Sequence, residues 1–216
     1  MTTILNGGAP VTTLADLNAA ILAADGEAAS SGAFEIDIGG AISLTDQLLA
    51  VNLKAGVSLD IQGGGNVLDG GGSQRGLFVY SGAVTVENLT LQNMLAVGGS
   101  GGGGGAGLGG GLFVADDAAH GAAPGAVTLT NVSFLNDAAV GGAGVDNLIG
   151  GGGLGGAGGF GVSGGGVGVG VSAGGGFGFY GDASSGGPGV IPFAAGGGSD
   201  ARGRTPFRWA PTTATA

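Results

Sequence analysis

Three groups of residues in this 216-residue chain have types and spacings that could do chemistry. Asp116 and Asp117 stand beside His120 and Gly121, and paired carboxylates near a histidine are raw material for general acid–base work or for ligation. Asp60 and Asp69, followed by Arg75, form a second set of carboxylates with a cation close in sequence. Gly141-Gly-Ala-Gly-Val-Asp146-Asn-Leu148-Ile149 matches the nonapeptide Gly-Gly-x-Gly-x-Asp-x-apolar-x, whose acidic turns share calcium ions between successive coils.

Each group also has a plainer explanation, and the plainer one is favoured. The only histidine has no Lys or Arg near it in sequence, so Asp116, Asp117 and His120 read as a polar loop after Leu112-Phe-Val114. Asp60 and Asp69 read as outward-facing strand and corner residues. The Asp146 motif is solitary: neither Gly150 to Gly158 nor Gly98 to Ala106 supplies a second acidic turn. No catalytic, cofactor-binding or metal residue is therefore assigned, no cofactor is required, and the chain is not expected to be an enzyme. The glycine runs lack the Gly-Lys-Ser/Thr of a phosphate loop and the strand–glycine–helix unit of a dinucleotide site. Asn88-Leu-Thr90 and Asn131-Val-Ser133 are formal glycosylation sequons, but both Asn have a structural use.

That use follows from a repeat. Val84-Thr-Val-Glu-Asn88-Leu-Thr-Leu-Gln-Asn93 returns as Val127-Thr-Leu-Thr-Asn131-Val-Ser-Phe-Leu-Asn136, each copy running into Ala-Val-Gly-Gly. In the first copy Val84 and Val86 share one parity while Leu89 and Leu91 share the other. Val127 and Leu129, then Val132 and Phe134, repeat the switch at Asn131. If all four apolar residues of a copy face one interior, the backbone must turn at the Asn, a residue that tolerates left-handed angles. Corner Asn side chains of stacked turns can then bond to one another in a ladder. Phe34, Ile36 and Ile38, Ile42 and Leu44, Val51 and Leu53, and Val57, Leu59 and Ile61 also alternate with period two, and Leu77-Phe-Val79 and Leu112-Phe-Val114 mark a third strand position. No helix-length segments intervene, which excludes alternating β and α units. The expected fold is all-β, a right-handed parallel β-helix or solenoid with glycine-rich loops such as 98 to 111.

One helix precedes the strands. Thr13 to Gly26 places Leu14, Leu17, Ile21 and Leu22 at helical spacing, with Thr13 as cap and Gly26 as stop, and its apolar face is expected to cover the open end of the strand stack. The expected organisation is a cap helix and coils over 1–145, a glycine-rich region over 146–198 that is either flexible or adds weak extra coils at Val167 to Val171 and Phe177 to Phe179, and a disordered tail over 199–216. The abrupt change in that tail reads as a truncated or frame-shifted ending.

Composition narrows the function. The 57 Gly fall in irregular runs and there are only 6 Pro, so collagen is excluded, and the Val-, Leu- and Ile-rich segments exclude disorder throughout. Fifteen acidic against 5 basic residues give a net charge of −10, which excludes nucleic acid and anionic membrane surfaces as partners. The uncharged stretch between Asp146 and Asp182 is too rich in glycine for a spanning helix, so no membrane span is expected. No basic n-region and apolar h-region are visible at the N-terminus, so no cleavable signal is expected there.

Val57-Ser-Leu-Asp-Ile-Gln-Gly-Gly-Gly-Asn-Val-Leu-Asp-Gly70, Arg75-Gly-Leu-Phe-Val79 and the Val84 to Asn93 block resemble right-handed parallel β-helix proteins of the pectin-lyase-like kind. The likeness, over about residues 10 to 145, is to passenger regions of bacterial autotransporters and filamentous-haemagglutinin-type surface proteins. It implies a non-catalytic scaffold segment of an exported, adhesin-like protein, outside the cell or on a bacterial surface, with extracellular glycans or a host surface as partners. The same fold hosts other functions, so the alternatives are a polysaccharide-binding or polysaccharide-cleaving β-helix and a calcium-binding secreted repeat protein.

Overall fold

The computed structural model describes residues 3–115 and 124–144. Over these it is a mostly-β fold with one N-terminal helix and repeated parallel strand contacts. The strands are β1 (Thr3–Ile4), β2 (Gly32–Asp37), β3 (Ile42–Ser43), β4 (Val51–Asn52), β5 (Val57–Gln62), β6 (Val67–Asp69), β7 (Leu77–Gln92), β8 (Leu95–Val97), β9 (Leu112–Val114), β10 (Gly125–Leu135) and β11 (Ala138–Val140). The helix α1 spans Leu14–Gly26.

Every strand pair is parallel, and the registers stack like with like. Thr3, Phe34, Leu59, Val84 and Val127 lie side by side across β1, β2, β5, β7 and β10. Ile42, Leu68, Leu91 and Phe134 align across β3, β6 and the second halves of β7 and β10. Val51, Val79 and Val114 align across β4, the start of β7 and β9. β8 pairs with β11, Leu95 opposite Ala138. Along β2, β5 and β7 a residue's neighbour follows 25 positions later, and from β7 to β10 it follows 43 later, the increase being taken up between Gly98 and β10.

Alternation decides which side chains go inside. Phe34, Ile36, Ile38, Leu59, Ile61, Val84 and Val86 are buried in one core cluster with Ile42, Leu68, Leu89 and Leu91. Both parities of the repeat point inward because the chain bends between them. Asn88 and Asn131 each have φ of 53°, the left-handed region in which Asn is the least strained residue after Gly. Asn131 Nδ2 donates to Asn88 Oδ1 at 2.8 Å, so the side chains bridge adjacent turns at the bend. One turn below, Gly63-Gly-Gly-Asn66 stands opposite Asn88 and Leu89. A Cβ at Gly63 would run into the Asn88 carbonyl oxygen, so the chain passes there only without a side chain.

The second copy departs from expectation. Val127 and Val132 pack on the core, but Leu129 and Phe134 are each 42% exposed. They lie on β10, which pairs with β7 on one side and, among the described residues, with no strand on the other. The helix differs as well. Leu17, Ala20, Ile21, Ala24 and Asp25 are buried and Leu14 partly so, whereas Leu22 is 44% exposed. Leu22 follows Ile21 by about 100° around the axis, off the stripe that Leu17, Ile21 and Ala24 define. Thr13 caps as expected, accepting from the Asp16 N–H at 3.2 Å, while Gly26 is the last helical residue and Glu27 the C-cap. α1 packs on β2 and β4, and Asn18 fastens it by donating to the Gln47 carbonyl and accepting from the Leu49 N–H.

Candidate functional site

Polar side chains fall on the outward positions of the paired strands, and register brings acids from successive turns together. Glu35, Asp60 and Thr85 align, as do Asp37, Gln62 and Glu87. Gln62 Nε2 lies 3.2 Å from both Asp60 carboxylate oxygens and 3.1 Å from Glu87 Oε2, so one amide bridges two carboxylates. Asp69, at the end of β6, accepts from the Gly71 N–H, Gln92 Nε2 and Asn93 Nδ2 at 2.9, 2.7 and 3.1 Å. These donors, the backbone N–H foremost, hold its carboxyl below the usual range.

Arg75 belongs to a different setting. Its guanidinium carbon lies 5.9 Å from the Phe78 ring centre, and burial pulls its pKa down. Phe78 in turn meets Tyr80 edge-on at 6.3 Å and Phe113 at 5.0 Å, forming an aromatic group separate from the main core. Asp60, Asp69 and Arg75 thus serve three local purposes. Asp116, Asp117, His120 and Asp146 lie outside the described residues, as do the regions 146–198 and 199–216. Among the described residues no group of three or more His, Cys, Asp or Glu could hold a metal ion, and no helix is long and apolar enough to cross a membrane.

The most perturbed group is one that sequence reasoning missed. Asp25, on α1, is 1% exposed. Its Oδ1 accepts from the Asn52 N–H at 2.8 Å, while Oδ2 has no hydrogen-bond partner. Burial pushes its pKa up to about 7, against the opposing pull of the Asn52 N–H and the Lys54 charge. Lys54 Nζ donates to the neighbouring Gly26 carbonyl at 3.1 Å. Asn52 continues inward: the Ser81 hydroxyl lies 2.8 Å from Asn52 Oδ1 and 2.9 Å from the Leu53 carbonyl. Asp25, Asn52 and Ser81 therefore form a buried polar line from the helix through two turns. Position 25 is eight residues after Leu17, two helical turns along the same stripe, and that spacing was the available signal.

Asp137 repeats the theme at the other end. It stands where the first copy has the buried Met94, and its Oδ1 accepts from the Met94 N–H at 2.8 Å. Burial raises its pKa, partly opposed by that N–H. Asp25 and Asp137 both bind backbone N–H groups of the neighbouring turn. Compared with known proteins, the chain matches no family model, no curated protein and no solved structure.

Proposed function

We propose that the chain is a stretch of right-handed parallel β-helix serving as a non-catalytic scaffold in an exported, adhesin-like surface protein. The observation that carries this reading is register. Chemically similar residues stack turn upon turn, and the repeated Asn bend is bridged by the Asn131–Asn88 side-chain bond. Such stacking makes an extended rod whose outward residues and glycine-rich connections are free to vary, which suits presentation to extracellular glycans or a host surface. The carboxylates add support, since Asp25, Asp69 and Asp137 all accept backbone N–H groups. The test is incubation of the full chain with pectic and other acidic polysaccharides. Unchanged substrate is the expected result, and release of reducing ends or unsaturated products sinks the scaffold reading.

A second reading, polysaccharide binding, is favoured by the aromatic group of Phe78, Tyr80 and Phe113 beside Arg75. Tyr80 and Phe113 are half-buried on the outward side of β7 and β9, and aromatic rings beside a guanidinium suit the apolar face and carboxylate of an acidic sugar. On this reading Tyr80→Ala weakens binding of uronic-acid oligosaccharides in calorimetric titration. No heat with the unaltered chain dismisses it.

A further inference from the structure

Apart from Ile4 and Leu22, every exposed large apolar side chain among the described residues falls between Val97 and Val140. Leu129, Phe134 and Leu135 of β10 are among them, and β10 has no strand partner on its far side among the described residues. A strand edge of eleven uncharged residues carrying unpaired backbone groups is a ready template for pairing with another chain. Natural edges of this kind are blunted by charge or proline, yet Gly125 to Leu135 contains neither.

We propose that β10 is a homodimer interface, two copies of the chain meeting end to end about a two-fold axis at the Asn131 bend. The strand is bent into two arms, and its inward positions are Val127 and Leu129 on one arm and Val132 and Phe134 on the other. A two-fold axis through the bend lays the second arm of one copy antiparallel on the first arm of its partner. Val127 then faces Phe134 of the second copy, and Leu129 faces its Val132. Each inward apolar residue meets an inward apolar residue, and each outward Thr or Ser meets a polar one, so the edge is complementary to itself. The absence of charge on β10 matters in a chain of net charge −10, because identical charged edges would repel across the axis.

The opposite end cannot take this role. α1 lays Leu17, Ala20, Ile21 and Ala24 over the core there, and the edge strand β1 is only two residues long. Head-to-tail growth therefore lacks a matching surface. The contact is isologous and closes at two copies, rather than propagating as a fibre.

The full 216-residue chain is expected to sediment at twice its monomer mass, and Leu129→Lys to return it to monomer with an unchanged far-ultraviolet spectrum. The chain contains no cysteine, so thiols introduced at the facing outward positions by Thr128→Cys with Ser133→Cys report the register. Oxidation should yield a covalent dimer on non-reducing gels. A monomer at all concentrations overturns the proposal, as does a dimer that survives Leu129→Lys and forms no disulfide. A monomer whose β10 amides are protected from hydrogen exchange also overturns it, by assigning the edge to the chain's own later residues.

Discussion

Asp25 makes the stability of this protein depend on pH in an unusual direction. In the unfolded chain its carboxyl ionises near 3.8, whereas in the fold it holds its proton up to about 7. The folded state therefore binds more protons between these values. Its contribution is fully present below pH 3.8 and is lost as pH rises to about 7. At about 1.4 kcal/mol for each pH unit between the two values, the loss comes to about 4 kcal/mol. A loss of this size is a large fraction of the net stability of a domain. Asp25→Asn removes the ionisation, while its Oδ1 can still accept from the Asn52 N–H. Denaturant unfolding of both proteins at pH 5 and pH 8 reads the effect, and taking the difference between them at each pH cancels the other carboxylates. The variant is expected to gain on the original chain by about 2–4 kcal/mol between those two conditions. A difference independent of pH would refute the argument that the buried carboxylate is held neutral.

Other substitutions test the remaining links. Asn88→Ala should cost about 1–2 kcal/mol through the left-handed backbone angle, with the Asn131 bond lost in addition, whereas Asn88→Gly should cost less; equal losses in thermal unfolding would mean that the bend is not strained. Leu17→Ala should destabilise by about 2–5 kcal/mol and Leu22→Ala by no more than about 0.5, because one is fully buried and the other projects to solvent; the reverse order in urea melts would place the helix on its other face. In a carboxyl-detected NMR titration, Asp69 should ionise below the ordinary carboxylate range and Gln92→Ala should move it back toward that range. The contribution of that depressed group is present above its unfolded pKa and disappears as pH falls through the folded one, opposite in sign to Asp25.

Much of the strand arrangement was legible because a strand has a short, rigid period. Phe34-x-Ile36-x-Ile38 and Val57-x-Leu59-x-Ile61 identify their inward faces without any knowledge of neighbours. The parity switch at Asn88 and Asn131 likewise locates a bend, since only a turn in the backbone lets both parities share one interior. The helix was less legible. Alanines count weakly as apolar, so leucine and isoleucine spacing points to Leu22, whereas the buried stripe carries Ala20, Ala24 and Asp25.

The candidate site was hardly legible at all, for a different reason. Asp60, Asp69 and Arg75 are close in sequence, but a carboxylate's role depends on which donors and which solvent surround it. Much of those surroundings comes from residues one turn away: Glu87, which shares Gln62 with Asp60, and Gln92 and Asn93 for Asp69. Local periodicity and the Asn bends follow from the chain's own covalent chemistry, and so were present in the order of its residues. The neutral buried Asp25, the Asp25–Asn52–Ser81 line and the β10 edge, unpaired on one side among the described residues, were decided by the stacking of distant segments, because desolvation and hydrogen bonding depend on what lies alongside in space.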